Sequence, residues 1–197
     1  MALGTATVSY ELRFDAGRIS LDLLATTHPV ERLDAVEPLC AWISRSGLVP
    51  PGTELGRADD SWLAGFRELR GHIGQLVRGA GPADSRSYDR ALGRLNEVAR
   101  AAPPAVCAVR GADGTLVREL ERAPECAGLL AVVARDAVEL LTDPVARAAV
   151  RECEGDNCPV VYLDTSRGRR RRWCSSEVCG NRERVARHRR RAALAQA

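Results

Sequence analysis

Four cysteines near the C-terminal end of the chain constrain its fold more than any other feature of the sequence. Cys153, Cys158, Cys174 and Cys179 form two close pairs in the pattern C-x4-C-x15-C-x4-C. Zn²⁺ binds four thiolates in a tetrahedron, and two close pairs separated by the length of a hairpin suit that geometry. The spacing therefore predicts one zinc ion bound by these four residues. Reduced free thiols and an iron–sulfur cluster are the alternatives.

A closed site of four thiolates leaves no coordination position for water or substrate, so we expect the zinc to be structural rather than catalytic. The segment that holds it has few large apolar side chains, so metal binding must supply much of its folding free energy. We expect this module, residues 149–197, to have a core separate from that of the preceding domain, residues 1–148.

Neither a secretory signal nor a membrane span is visible in the sequence. The first ten residues lack a basic region followed by an apolar run, and no apolar stretch reaches the roughly 18 residues of a spanning helix. We therefore expect a cytoplasmic protein without membrane contact, whose thiols stay reduced. Three further cysteines lie in apolar periodic segments, where we expect core packing: Cys40, Cys107 and Cys126.

Charge is distributed unevenly along the chain. Residues 1–150 contain 17 Arg and 20 acidic residues, which gives −3, whereas residues 151–197 contain 12 Arg and 6 acidic residues, which gives +6. Four thiolates and Zn²⁺ contribute about −2, so the module remains basic at about +4. Arginine suits phosphate and the guanine edge, and aromatic residues make up only 4% of the chain, so duplex DNA is favoured over single strands.

The arginines expected to contact DNA flank the second cysteine pair on both sides. The segment Glu183 to Ala195 should be helical, with Arg184, Arg187 and Arg191 along one face. Val178 and Val185 are expected to mark the face that is turned inward. A solvated basic face, or a patch for an acidic protein partner, is the alternative. The candidate contacts are Arg169, Arg170, Arg171, Arg172, Arg182, Arg184, Arg187, Arg190 and Arg191.

Hydrophobic periodicity predicts an α+β fold for the first domain, rich in helices with a small antiparallel sheet. The clearest strand signal is a hairpin over 105–120, with glycines in its loop. Around Asp15-Ala16-Gly17, the segment Tyr10 to Leu24 predicts a short strand pair or a strand that enters a helix. Helices are predicted over Val30–Trp42, Asp60–Val77, Ser85–Ala101 and Glu125–Leu141, with a loop over Gly79–Pro82 and a short helix from Pro144 that leads to Cys153.

The first domain contains neither a nucleophile motif nor a glycine-rich phosphate loop, so we expect that it is not an enzyme. A role in sensing a small-molecule effector or in forming a homodimer is favoured. An enzyme with a pocket in this domain is the weakest of the three functional classes. The candidate pocket residues, which would serve a sensor or an enzyme, are Asp22, His28, Trp42 and Trp62.

The C-terminal module resembles the CGNR zinc finger family. The likeness rests on C-x4-C, then Tyr162-Leu-Asp-Thr-Ser166, then Arg172-Trp-Cys-Ser175 and the tetrapeptide Cys179-Gly-Asn-Arg182. Within the tetrapeptide we expect a positive φ at Gly180 beside the metal sulfurs and a helix cap at Asn181. For Arg182, pairing with Asp164, a hydrogen bond across the finger and a phosphate contact all remain open.

The upstream region resembles the ABATE domain that accompanies this finger. The matching features are Arg13-Phe14, Gly17-Arg18 before Leu21-Asp22, the stretch from Arg32-Leu-Asp34 to Trp42 that ends in Gly47-Leu48, and Leu95-Asn96. The family's early motif is often close to LDFVNT, whereas this chain has Leu21-Asp-Leu-Leu-Ala-Thr26. The resemblance implies a bacterial, specifically actinobacterial, stress-induced transcription regulator that binds DNA. The second functional hypothesis is an adaptor that binds an acidic partner of the transcription machinery.

Overall fold

A computed structural model describes residues 12–79 and 85–195. In these residues the chain forms seven α-helices and two antiparallel sheets of two strands each, which confirms the α+β class. The helices are α1 (Ile19–Ala25), α2 (Val36–Arg45), α3 (Asp60–Arg78), α4 (Ser85–Ala99), α5 (Cys126–Thr142), α6 (Pro144–Arg147) and α7 (Cys179–Ala195), and the strands are β1 (Val106–Arg110), β2 (Leu116–Leu120), β3 (Val150–Glu152) and β4 (Val161–Leu163).

Helix α3 lies at the centre of the helical part and packs against α1, α2, α4 and α5. The Asp59 side chain begins it by accepting the backbone N–H groups of Ser61 and Trp62, as an N-cap residue should. Its inner face carries Phe66, which meets the fully buried Trp42 edge-on with 5.8 Å between ring centroids. The prediction for this helix is confirmed to within one residue.

Helix α2 begins six residues later than its apolar spacing predicts. In the segment before it, the N–H of Arg32 bonds to the carbonyl of Thr26, and the N–H of Leu33 bonds to the Glu31 carboxylate. These local bonds compete with the helical pattern. The buried Arg70 of α3 then holds the segment in place through two hydrogen bonds to Glu31 and one to the Thr26 hydroxyl.

The predicted hairpin is present, and strands β1 and β2 pair from Val106 opposite Leu120 to Arg110 opposite Leu116. It protrudes from the helical part and leaves Val106, Leu116 and Val117 exposed. Core packing is confirmed for Cys126, which is partly buried and packs against the core, but it is wrong for Cys107, which lies on this hairpin. Cys40 is also only partly buried.

Residues 13–17 form a strap between α1 and the C-terminal module. The Ala16 carbonyl accepts the N–H of Leu163 at 2.8 Å, and its own N–H donates to the Asp22 carboxylate at 2.9 Å. Gly17 has a φ of +89° and lies against Leu163, where a β-carbon would come within 3.2 Å of the leucine side chain. No strand forms over residues 12–18, and the predicted strand's first residues, Tyr10 and Glu11, lie outside the described part. Of the loop predicted over Gly79–Pro82, only Gly79 lies within the described residues.

The expectation of two separate cores is wrong. One continuous cluster of buried residues runs from α1, α3 and α5 into the finger and includes Val161, Tyr162 and the four paired cysteines. The strap and β4, which packs beside α1, join the two parts. Of the helices described, none has both the length and the apolar character that a bilayer crossing requires.

The buried carboxyl group of Asp22 makes the stability of this junction depend on pH. Burial, opposed by the Ala16 hydrogen bond, raises the pKa of its carboxyl group to about 6. A carboxyl whose pKa is higher in the folded chain stabilises the fold while it is protonated, and that contribution is lost as the pH rises through 6. Asparagine keeps the oxygen that accepts the Ala16 N–H and carries no charge.

We therefore predict that Asp22→Asn increases the free energy of unfolding at pH 7.5 by about 1 to 3 kcal/mol, with a smaller gain at pH 5.5. Urea unfolding of the zinc-loaded protein at both pH values measures this difference. An equal or larger gain at pH 5.5 would show that the Asp22 charge is not the cause.

Candidate metal centre

The four paired cysteines meet at one point. Their sulfur atoms all lie within 4.8 Å of one another and are buried, and Cys174 Sγ is 3.6 Å from the sulfurs of both Cys158 and Cys179. Four sulfurs at about 2.3 Å from a tetrahedral Zn²⁺ are separated by roughly 3.8 Å. The residues therefore fit the ion, and the prediction of one structural zinc is confirmed.

The first cysteine pair is positioned by the small sheet of the finger. Cys153 extends β3, and its N–H bonds to the Val160 carbonyl at 2.9 Å. The turn that follows returns the chain, with the Cys158 N–H on the Gly155 carbonyl and Asn157 at a φ of +55°. A β-carbon at Gly155 would lie 3.2 Å from the Cys179 β-carbon and 3.4 Å from two ligand sulfurs, so only glycine fits without displacement.

The second pair spans the start of α7. Cys174 precedes the helix and Cys179 is its first residue, so the thiolate lies at the positive end of the helix dipole. The predicted cap role of Asn181 is wrong, because the helix begins at Cys179 and the Ser175 hydroxyl accepts the N–H groups of residues 177 and 178 at 3.2 Å. Gly180 is helical without a positive φ, and a β-carbon there would meet the Trp173 ring at 3.5 Å.

Backbone amides and burial shift the pKa values of the Cys153, Cys174 and Cys179 thiols in opposite directions. Burial raises the pKa of Cys174 above the ordinary thiol value and that of Cys179 to about 11. Burial also opposes ionisation of Cys153, but the N–H groups of Cys174 and Gly155 outweigh it and lower the pKa of that thiol. A metal ion must therefore displace protons from at least two buried thiols, as Zn²⁺ does when it binds.

Two arginines compensate the −2 charge of a zinc ion with four thiolates. Arg13, in the strap, lies 3.3 Å from Cys174 Sγ, donates to the Cys174 carbonyl and forms an ion pair with Asp15 at 2.7 Å. Arg182 lies 3.5 Å from Cys179 Sγ and donates to the carbonyl of Asp156 at 3.0 Å. Sequence reasoning assigned no role to Arg13, since 161 residues separate it from Cys174 and no local pattern connects them.

The structure gives the finger's arginines different surroundings. Arg171 is partly buried over the Tyr162 ring, 4.5 Å from its centroid, and donates to the carbonyls of Asp15, Trp173 and Cys174. Arg172 pairs with Glu154 at 2.6 Å. The Asp164 carboxylate, one of the partners considered for Arg182, instead accepts N–H groups of residues 166 and 171.

The remaining candidate arginines lie at the surface. Arg184 is exposed and donates to the carbonyls of Gly180 and Ser176. Arg190 is 3.8 Å from Glu183, so the ion pair between them is loose. The others with exposed side chains are Arg169, Arg170, Arg187 and Arg191.

Most of helix α7 beyond its first turn is exposed over residues 183–191. The expectation that Val178 and Val185 turn inward is wrong, because 53% and 43% of their surfaces are exposed. Within residues 181–191 only Glu183 and Ala186 are partly buried, and the other nine residues are exposed. The helix therefore projects from the finger into solvent.

The four candidate pocket residues lie in three settings. Trp42 and Trp62 are buried in the core, and the Asp22 carboxylate holds the strap. His28 lines a cavity of about 540 Å³ between the strap and the start of α7, together with Phe14, Val178 and Arg182. Burial and the charges of Arg182, Arg13 and Arg32 lower the pKa of His28.

Comparison with known proteins gives two family matches. The ABATE family model, described as "Putative stress-induced transcription regulator", matches residues 17–144. The CGNR zinc finger model matches residues 149–192. A search of the curated proteins found no match.

We predict that the purified protein contains one equivalent of zinc and that Cys174→Ser loses it. Because the core is continuous, this variant should also lower the cooperativity and midpoint of unfolding of the helical part. Elemental analysis and near-ultraviolet circular dichroism measure both effects. Cys107→Ser, the same change on the hairpin, is the control and should keep full zinc. Full zinc in Cys174→Ser would contradict the assignment.

Two glycines should differ in their tolerance of a methyl group. Gly155→Ala places a β-carbon against two ligand sulfurs and should weaken zinc binding, whereas Gly180→Ala makes only ordinary contacts and should leave it nearly unchanged. Competition with a chromogenic chelator measures the two affinities. Equal affinities would mean that Gly155 does not shape the site.

Proposed function

Since the chain belongs to the ABATE family and ends in a CGNR zinc finger, we propose that it is a transcription regulator that binds duplex DNA through this finger. The observation that carries the proposal is the projecting, arginine-rich helix α7. We assign residues 149–197 to DNA binding and residues 1–148 to sensing or dimerisation. The family matches support this division, because one ends at residue 144 and the other begins at 149.

The shape of α7 suits a groove of DNA. Its 17 residues extend about 25 Å at 1.5 Å per residue, and an α-helix fits the major groove, which is about 12 Å wide. Such a helix must be accessible, and nine of the eleven residues over 181–191 are exposed. The zinc centre anchors its first residue, which fixes its direction relative to the finger.

The exposed arginines supply phosphate contacts. Arg187 and Arg191 lie four residues apart on one face of α7, and a second exposed pair, Arg169 and Arg170, lies in the turn before Cys174. Arg171, which donates to protein carbonyls, and Arg182, which contacts the Cys179 sulfur and the Asp156 carbonyl, are left out of this set because they serve the finger itself. Phosphate contacts of this kind give affinity and orientation, while base contacts give sequence preference.

An adaptor role is the second candidate. The exposed Val178, just before α7, and Val185, on α7, lie seven residues apart, and exposed apolar side chains favour contact with a protein. An adaptor would bind an acidic partner of the transcription machinery tightly and DNA only weakly. We propose no catalytic role, since the families matched are of regulator and zinc finger type.

We predict that the zinc-loaded chain binds duplex DNA with a salt dependence set by its exposed arginines. If roughly 4 to 6 phosphates are neutralised, log K should fall with log salt with a slope of about −4 to −5. Replacing Arg187 and Arg191 together by alanine should reduce the magnitude of the slope by about 2, with zinc retained. Fluorescence anisotropy at several salt concentrations, with operator and scrambled duplexes, measures it.

The matched control removes two exposed arginines from the helical part, as Arg57→Ala with Arg86→Ala, and should leave the slope unchanged. Equal loss of slope in both double variants would mean that only net charge matters. Equal affinity for all duplexes that vanishes at physiological salt would reject the regulator and favour the adaptor.

A further inference from the structure

In the hairpin formed by β1 and β2, no strand from residues 12–79 or 85–195 pairs with the outer edge of β1. The N–H of Gly111 bonds to the Thr115 carbonyl, and the N–H of Glu121 bonds to the Ala105 carbonyl, so odd-numbered residues of β1 face β2. The N–H and C=O groups of the even-numbered residues therefore face away from the hairpin. These residues are Val106, Ala108 and Arg110, and all three are exposed.

The β1 edge lacks the features that protect exposed strands. Proteins guard such edges with charges, prolines or bulges in the strand, and β1 reads Val-Cys-Ala-Val-Arg with its only charge at the end. The other edge is protected, because Arg118 and Glu119 lie in the middle of β2. An isolated hairpin is also only marginally stable in water, whereas a sheet of three or more strands is not.

We propose that β1 pairs antiparallel with β1 of a second copy of this chain and forms a four-stranded sheet, β2-β1-β1-β2, across a two-fold axis at Ala108. This register places Ala108 opposite Ala108 of the other copy and Val106 opposite Arg110. All three outward-facing residues then exchange backbone hydrogen bonds. A shift of the axis to Cys107 would bring Arg110 opposite Pro104, which has no N–H to donate.

Charge favours a second copy over a nucleic acid as the occupant of this edge. Residues 106–120 carry two arginines and two acidic residues, so the hairpin has a formal net charge of zero. No like charges lie opposite each other in the proposed register, and the small Ala108 side chain leaves room at the axis. The interface is short, so we expect dimerisation with a Kd on the order of micromolar. This inference does not depend on DNA binding.

The test is the oligomeric state of the full, zinc-loaded chain, measured by sedimentation equilibrium between about 1 and 200 μM without DNA. The wild-type chain should pass from monomer to dimer. Ala108→Pro removes an outward N–H and should raise the Kd at least tenfold, since proline is tolerated where the N–H faces solvent. Arg118→Pro is the matched control, because Arg118 is the cross-strand partner of Ala108 on the outer side of β2. It should dimerise like the wild-type chain.

A second variant separates loss of the interface from misfolding of Ala108→Pro. Ala108→Lys brings two like charges together at the axis and should also prevent dimerisation, with unchanged circular dichroism and zinc content. A wild-type chain that stays monomeric at 200 μM would overturn the proposal, as would equal Kd values for Ala108→Pro and Arg118→Pro. A monomer with slow amide exchange at Ala108 would also overturn it, since the edge would then be covered within one chain.

Discussion

The contact between Arg13 and Cys174 joins the two ends of the described chain, and the arrangement of the finger depends on it. Four thiolates around Zn²⁺ carry an excess of negative charge that must be compensated where water is excluded. The finger supplies one cation, Arg182, and the strap supplies the other. Because the strap also pairs with Leu163 and holds Asp22, the charge of the metal centre is linked to the packing of α1.

Sequence reasoning succeeded where the physical cause was local. The cysteine spacing predicted the metal centre because a tetrahedral ion requires close ligands, and the glycines of the loop indicated the hairpin. The apolar period of α3 placed that helix within a residue. In each case the residues that decide the structure lie within about 30 positions of one another.

The errors arose where distant contacts decide the outcome. Val178 and Val185 have a spacing typical of an inward face, but both are exposed, and only Glu183 and Ala186 are partly buried over residues 181–191. Asn181 is a good cap by type, yet the helix begins at Cys179, so Asn181 already lies inside it. Local sequence also fails to predict the surroundings of neighbouring arginines. Arg171 contacts the strap while Arg170 remains exposed, and no local pattern distinguishes the two.

The continuous core bears on how this finger can be used in protein engineering. Many small zinc modules are grafted between proteins as independent cassettes because the ion alone organises them. Here β4 packs beside α1 and Leu163 lies against Gly17, so the finger rests on residues from the opposite end of the sequence. A graft that begins at residue 149 would expose this apolar surface and leave Cys174 without its guanidinium partner. A transplantable unit would have to carry the strap as a second, non-contiguous segment.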